Sequence, residues 1–164
     1  MSEIASFDPE LLLRALGHHR VNFVLIGALA ARLHGFPRLT ADADITPAGD
    51  KSNLERLAAA LNELDAKIYT ESVPEGLAFD CSFATLARAR MWNLITKAGR
   101  LDIAFEPAGV EGYDDLKKDA ERFEAFGVQF LVASLDDIIR SKEAAGRPKD
   151  LDDVAILRAM KRMK

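Results

Sequence analysis

The stretch that decides the fold is GALAARLHGFPRLTADADI, residues 27–45. It follows the apolar run VNFVLI, residues 21–26, which predicts a strand that is covered on both faces. Residues 28–33 are rich in alanine and predict a helix that stops at Gly35 and Pro37. Residues 41–46 alternate small or apolar side chains with acidic ones, which predicts a second strand of period two. The stretch therefore indicates a strand, a turn, a helix and a strand in succession.

Two aspartates of the second strand, Asp42 and Asp44, are one residue apart. On a strand they point to the same face, about 6.5–7 Å apart along the backbone. Asp102 is a third acid of this kind, since it lies on the face opposite Leu101 and Ile103 in the strand-like run RLDIAF. If the two strands are neighbours, three carboxylates converge, and their repulsion is removed by a divalent ion such as magnesium. The alternative is that the acids are solvated at a turn or on an open sheet face.

The rest of the chain alternates helices and strands. Helices are predicted after Asp8, after Asp50, over residues 113–120, after Ser134 and from Pro148. A short strand is predicted near 67–72, and strand pairs within 91–107 and 121–134, the first with a turn at Ala98-Gly99. The pattern predicts an α/β (α+β) fold: a mixed β-sheet flanked by helices, with a C-terminal helical hairpin. We expect a single domain, 1–164, with a core over about 1–110 and a hairpin plus helices over 111–164.

Composition excludes several classes of protein. The formal net charge of -4 argues against a general nucleic-acid binder. The single cysteine, Cys81, excludes an intramolecular disulfide and a cysteine-only zinc site. The N-terminus does not read as a signal peptide, and no apolar run reaches the length of about 20 residues that spans a bilayer. We expect a cytoplasmic protein with no membrane partner. His18, His19 and His34 have no metal-ligand spacing in the sequence.

Two further groups of residues are suited to phosphate. The turn at Gly27 and Ala28 opens a helix N-terminus, and Arg38 and Thr40 add a guanidinium and a hydroxyl. Alternatively, these are an ordinary strand-to-helix turn, a loop arginine and a turn threonine.

The second group lies in SKEAAGRPKDLDD, residues 141–153. Two antiparallel helices joined at 146–148 would bring Lys142 near Asp150 or Asp153. The cluster is either a structural group of ion pairs or a site where Lys142 and Arg147 face nucleotide phosphates.

In their order, these motifs resemble the minimal nucleotidyltransferases related to the polymerase β superfamily, and among them the AbiEii-type proteins of bacterial toxin and phage-defence modules. The matching text is LIGALAARLHGFPRLTADADI, RLDIAF and DIIRSKEAAGRPKDLDDVAIL. The resemblance implies a nucleoside triphosphate bound with Mg²⁺, or with Mn²⁺ in its place. By resemblance, Asp42 and Asp44 match the metal-binding acids, and Asp102 matches the third acid, a base or second-metal ligand. The remaining matches are the triphosphate turn at Gly27 and its neighbour Ala28, the nucleotide-contacting Lys142, and the acid of the last motif, Asp150 or Asp153.

The activity implied by the resemblance is transfer of a nucleotide to an RNA (tRNA) or protein acceptor, with pyrophosphate leaving. The protein would then be the toxin of a toxin–antitoxin pair with a cognate antitoxin. A basic patch of Arg140, Lys142, Arg147, Lys149, Lys161 and Arg162 would hold an RNA acceptor stem. The superfamily turn usually reads Gly-Gly or Gly-Ser, whereas this chain has Gly27-Ala28. The rival hypothesis is a catalytically silent nucleotide-binding or partner-binding module of the same fold.

Overall fold

A computed structural model describes residues 6–163. One mixed sheet of seven strands runs in the order β3-β4-β5-β2-β1-β7-β6. Its strands are β1 Phe23–Ile26, β2 Asp42–Pro47, β3 Lys67–Ile68, β4 Met91–Thr96, β5 Gly99–Ala104, β6 Glu121–Ala125 and β7 Val128–Val132. The helices are α1 Pro9–His18, α2 Gly27–Leu33, α3 Lys51–Glu63, α4 Phe83–Leu86, α5 Tyr113–Asp119, α6 Leu135–Ala145 and α7 Pro148–Arg162. The predicted mixed sheet, flanking helices and C-terminal helix pair are confirmed.

The centre of the sheet is mixed in strand direction. β1 runs antiparallel to β2 and parallel to β7, while β2 runs parallel to β5. The connection from β2 to β5 therefore crosses over through α3, the edge strand β3, α4 and β4. This crossover places two strands that are far apart in sequence side by side.

The two faces of β2 and β5 differ in character. Ala43, Ile45, Leu101 and Ile103 have no solvent exposure and belong to the core. Burying a leucine or isoleucine side chain stabilises the fold by roughly 1.5–3 kcal/mol relative to leaving it in water. The alternate residues of the same strands point to the other face, where α2 packs against β1, β2 and α6. Core packing on one face thus fixes which side chains the opposite face presents.

The boundaries of β1, the β4–β5 turn and β3 are among those that differ from the expected ones. β1 begins at Phe23 because the Asn53 side chain occupies the backbone of Asn22: its Oδ1 accepts from the Asn22 N–H at 2.7 Å, and its Nδ2 donates to the Asn22 carbonyl at 2.9 Å. The β4–β5 turn lies one residue earlier than predicted, since Thr96 pairs with Gly99 and leaves Lys97-Ala98 as the loop. The predicted strand at 67–72 is only two residues long and continues as a loop bridged at Ile68 and Leu77.

Candidate functional site

The three acids predicted from the sequence lie together on one face of the sheet. Asp44 is the register partner of Asp102 across the parallel β2–β5 pair, and Asp42 is the partner of Arg100. Adjacent strands are about 4.8 Å apart and side chains in register share a face, so the carboxylates of Asp44 and Asp102 are neighbours. The Asp102 side chain keeps 24% of its exposure. The acids are therefore partly covered by protein and open on one side.

Burial and like charge both act on Asp44. Burial and then the charges of Asp42 and Asp102 raise its pKa to about 7, against the lowering effects of Lys142 and Arg100. Burial also raises the pKa of Asp102, although Arg100 opposes this by charge and by a hydrogen bond. Without an added cation the cluster thus holds a carboxyl that is part-protonated at neutral pH. Asp42, Asp44 and Asp102 do not bring one oxygen each within 4.8 Å of one another, so a bound ion would take water and phosphate among its ligands. A divalent ion that prefers oxygen suits carboxylates of this kind, because it replaces the proton.

Gly27 brings the backbone directly against Asp44. A Cβ placed on Gly27 would lie 2.4 Å from Asp44 Oδ2, and its φ of 70° is in the region that side chains rarely adopt. Ile26, the register partner of Asp44, precedes it, and the start of α2 has no side-chain cap. The turn is therefore shaped around the acid, with the first-turn amides of α2 not occupied by a capping side chain.

The C-terminal cluster forms a chain of alternating charges. Lys142 Nζ lies 3.2 Å from Asp153 Oδ2 and 3.8 Å from Asp150 Oδ1. Arg147 contacts both oxygens of Asp150, at 2.6 and 3.2 Å, and Arg38 Nη1 lies 3.0 Å from Asp153 Oδ1. Both aspartates are buried. The predicted approach of Lys142 to these acids is observed, and the loop arginine joins the group.

This charged chain and the three acids belong to one site. The Lys142 charge lowers the pKa of Asp44, and the Asp44 charge contributes to the raised pKa of Arg147 after the larger effects of Asp150. Thr40 stands at the edge of the site: its hydroxyl donates to the backbone carbonyl of Asp42 at 2.8 Å. In this structure Thr40 therefore holds the start of β2, as in the turn interpretation.

Two residues at the site were not singled out from the sequence. Arg100 Nη2 donates to Asp102 Oδ1 at 2.9 Å, and the guanidinium carbon stands 3.7 Å from the centre of the Tyr69 ring. Asn93 is the register partner of Asp102 on β4. The signal for Arg100 was present, because it lies two residues before Asp102 on the same strand face. The register that places Asn93 depends on the hairpin turn, which the sequence interpretation put one residue too late.

The histidines lie apart from the acids in two different settings. His34 is buried, with Nε2 2.8 Å from the Ala133 carbonyl and Nδ1 3.3 Å from Glu121 Oε2. His18 and His19 come together with Glu63, their potential ligand atoms lying within 4.8 Å of one another. Sequence spacing missed this group because Glu63 comes from the end of α3.

The predicted basic patch is largely neutralised. Arg140 Nη2 lies 3.1 Å from Asp115 Oδ2 and 3.1 Å from Asp137 Oδ1, and Lys161 pairs with Asp136. Arg140 and Lys161 line a groove of about 430 Å³ between α6 and α7, together with Asp136, Ile139, Glu143 and Arg158. These cations are thus matched by nearby acids, unlike the free lysines and arginines that an RNA backbone requires.

Comparisons with solved structures support the fold. The chain is 16% identical to the lincosamide antibiotic adenylyltransferase LnuA in its lincomycin-bound form, with 96% of this chain and 99% of that chain covered and a TM-score of 0.59. It is 17% identical to ANT(2")-Ia in complex with adenylyl-2"-tobramycin, with 91% and 84% covered and a TM-score of 0.55. It is 18% identical to TM1012 of Thermotoga maritima, a candidate nucleotidyltransferase, with 98% of each chain covered and a TM-score of 0.52. At these identities the likeness concerns the fold.

Two other comparisons bear on identity. No curated protein matches the sequence. Within residues 6–163, no helix is long and apolar enough to cross a membrane. A family profile matches residues 7–163, which is nearly the whole chain and includes each acid and base described above. The chain belongs to that family, described as nucleotidyltransferase of unknown function (DUF6036).

Proposed function

We propose that the protein transfers a nucleoside monophosphate from an NTP, with Mg²⁺, to a hydroxyl of an acceptor. The observation that carries this proposal is the side-by-side placement of Asp44 and Asp102, with Asp42 on the same face. The raised pKa of Asp44 supports it, because this carboxyl is poorly stabilised until a cation is added.

Asp42, Asp44 and Asp102 are the residues that would hold magnesium. When bound, the ion neutralises charge on the phosphates and on the attacking and leaving oxygens. The chain's own part is to position the reactants. Lys142, Arg147 and Arg38 face the phosphates, and the turn at Gly27 and Ala28 receives the triphosphate.

The bond changes follow from this placement. A hydroxyl oxygen of the acceptor attacks the α-phosphorus, and the bond from the α-phosphorus to the bridging oxygen breaks, so pyrophosphate leaves. Asp102 takes the hydroxyl proton. Burial raises its pKa and so makes it a stronger base than a solvated aspartate, and the hydrogen bond from Arg100 keeps one carboxylate oxygen oriented.

The chemical class of the acceptor is the open part of the proposal. The resemblance to AbiEii-type proteins favours tRNA or a protein, with a cognate antitoxin as a partner. LnuA and ANT(2")-Ia, by contrast, are named for antibiotics. Incubation with each α-labelled NTP, Mg²⁺ and either total tRNA, cell protein, lincomycin or tobramycin separates these classes by the product that carries the label.

The Asp42→Asn/Asp44→Asn double variant tests the role of the acids. We expect it to abolish labelling of any acceptor, with a thermal midpoint in EDTA equal to or above that of the wild type, because it removes like-charge repulsion. A double variant that unfolds would assign the acids a structural role. A wild type that binds NTP and labels nothing would contradict transferase activity.

The second candidate is a catalytically silent nucleotide-binding module, which the sequence Gly27-Ala28 favours over the usual Gly-Gly or Gly-Ser. This candidate predicts NTP binding without turnover. It also predicts that Ala28→Ser or Ala28→Gly raises NTP affinity, as measured by titration calorimetry.

A further inference from the structure

The acids border an open sheet surface formed by β4 and β5. Asp44 is in register with Asp102, and Asp102 is in register with Asn93. Register partners point to the same face, so Asn93 lies about one strand spacing, roughly 5 Å, from Asp102 and about 10 Å from Asp44. Met91 and Ala104 form the next row on the same face. We refer to Met91, Asn93, Asp102 and Ala104 as the β4–β5 face.

The exposed residues of this face have no evident role in folding. Asn93 is exposed, and within residues 6–163 its side chain makes no hydrogen bond. Met91 keeps 59% of its exposure. Trp92 and Leu94 alternate with Met91 and Asn93 along β4 and point into the protein. There Trp92 Nε1 donates to the Leu86 carbonyl at 3.1 Å. β4 is thus held by its inner face and leaves an amide and a thioether free outside.

The phosphate-binding groups lie on the other side of the acids. Gly27 meets Asp44 from β1 and α2, and Lys142 and Arg147 come from the helix pair that packs against α2. In nucleotidyl transfer the attacking and leaving oxygens are roughly in line across the phosphorus. With the triphosphate on the β1 side of Asp44, the attacking hydroxyl approaches from the β5 side, where the β4–β5 face begins.

Arg100 and Tyr69 border the β4–β5 face on one side. On β5, Arg100 donates to Asp102 at 2.9 Å, and its guanidinium carbon lies over the Tyr69 ring, 3.7 Å from its centre. The ion pair and the stacking fix this side chain in place. An acceptor bound on the β4–β5 face would contact Arg100 and Tyr69 on one side and Met91 on the other. The Asn93 amide would be available to donate and accept hydrogen bonds.

The charges around the face disfavour a nucleic acid. Three cations around it are paired with acids: Arg100 with Asp102, Arg90 with Glu106 at 2.8 Å, and Lys67 with Asp65 at 4.0 Å. Nucleic-acid binding draws its affinity from lysines and arginines that neutralise phosphates. The face instead offers apolar surface, an amide and carboxylates over a width of about 10 Å, the size of one or two sugar rings.

From these observations we propose that the β4–β5 face is the acceptor site, and that its acceptor is a small hydroxylated molecule that is neutral or cationic. Asn93 and Met91 are then specificity-determining residues. The inference rests on the proposed nucleotidyl transfer and adds the location and class of the second substrate.

Met91 supplies a direct readout. The full chain, labelled with ¹³C at the methionine methyls and saturated with Mg²⁺ and a non-hydrolysable ATP analogue, is titrated separately with lincomycin, tobramycin and total tRNA. A Met91→Leu variant identifies the Met91 signal, and Met160 on α7 and Met163, which follows that helix, serve as internal references. We expect lincomycin or tobramycin to shift the Met91 signal at saturation and to leave the two references in place.

The outcomes separate this inference from the proposed function. A Met91 shift caused by tRNA and by neither small molecule would overturn the acceptor class. No Met91 shift with any probe, in protein that demonstrably binds the ATP analogue, would overturn the site. Failure of the analogue itself to bind with Mg²⁺ would overturn the proposed function, and this inference with it.

A matched pair of variants tests the face by substitution. Asn93→Lys places bulk and positive charge beside Asp102, and we expect it to weaken the small-molecule titration at least 10-fold while the affinity for the ATP analogue stays within twofold. Gln129→Lys also replaces an exposed amide with lysine, on β7 and away from the acids; it removes a hydrogen bond from Arg122 at 3.2 Å but should leave both affinities unchanged. Equal titrations of the two variants would contradict a role for Asn93.

Discussion

At the residue scale, the surroundings of Asp44 disfavour the ionised form of its carboxyl group. A carboxyl whose pKa is raised on folding binds more protons in the folded state than in the unfolded state between the two pKa values. Stability therefore falls as pH rises from about 4 to about 7 and levels off above that, with a raised pKa of about 7 for Asp44. Above this range the ionised carboxylate destabilises the fold until a cation binds it.

The corresponding prediction concerns the thermal midpoint in EDTA. Between pH 5 and pH 7.5 the wild type should lose more of its thermal midpoint than Asp44→Asn, because the variant no longer loses a proton at this position. Added Mg²⁺ should reduce the pH dependence of the wild type alone. Parallel curves for the two proteins in EDTA would show that Asp44 titrates normally.

Gly27 gives the second residue-scale prediction. Gly27→Ala adds a Cβ only 2.4 Å from Asp44 Oδ2 at a φ of 70°, so we expect a loss of about 1–3 kcal/mol in the free energy of unfolding, together with weaker Mg·NTP binding. Gly49→Ala is the control, since nothing lies within 4 Å of its added Cβ. Urea denaturation measures the free energy of unfolding of the two variants. Equal losses of stability in Gly27→Ala and Gly49→Ala would contradict the packing of Gly27 on Asp44.

At the scale of elements, the α6–α7 pair depends on charges that are buried at its base. Asp150 and Asp153 retain only 2% and 3% of their exposure, and each lies within ion-pair distance of Lys142 and one arginine. Removing one partner of a buried pair leaves an uncompensated charge, which costs more than the pair contributed. We expect the cluster to stabilise the hairpin, and in the proposed function Lys142 and Arg147 also face the nucleotide.

Lys142→Met tests both roles. We expect it to lower the free energy of unfolding by about 1–3 kcal/mol, less than for an isolated pair because the two arginines remain, and also to weaken NTP binding at least 10-fold. Lys149→Met, at an exposed lysine of the same hairpin, should change neither quantity appreciably. Lost stability with unchanged NTP affinity in Lys142→Met would assign the cluster a purely structural role.

The sequence predicted most of the helices and strands, because the residues that start and stop them lie within a few positions of each element. Asp8, Asp50 and Ser134 cap α1, α3 and α6 with their side chains, as short-range capping chemistry predicts. The start of β1 at Phe23 was not predictable, because it is set by the contact of Asn22 with Asn53, 31 residues away. The loop after β3 shows no periodic pattern of apolar residues. Its contact with Arg100, through Tyr69, depends on the strand order of the sheet.

At the scale of the whole molecule, the site is a product of topology. The crossover from β2 to β5 sets Asp44 beside Asp102 across 58 positions of sequence, and β1 brings Gly27 to the same point. Strand period alone predicted the face of each acid, whereas their adjacency required the strand order. The neighbours Arg100 and Asn93 followed from that order and from the hairpin register, which is why the acids were predicted and their surroundings were not.

The most direct measurement is the affinity of the protein for a non-hydrolysable ATP analogue, by titration calorimetry, in Mg²⁺ and in EDTA. We expect Mg²⁺ to tighten binding to the wild type at least 10-fold, and this gain to disappear in Asp42→Asn/Asp44→Asn, which stays folded. Equal affinities of the wild type in Mg²⁺ and in EDTA, or an undiminished gain in the double variant, would contradict a metal–nucleotide site at these aspartates.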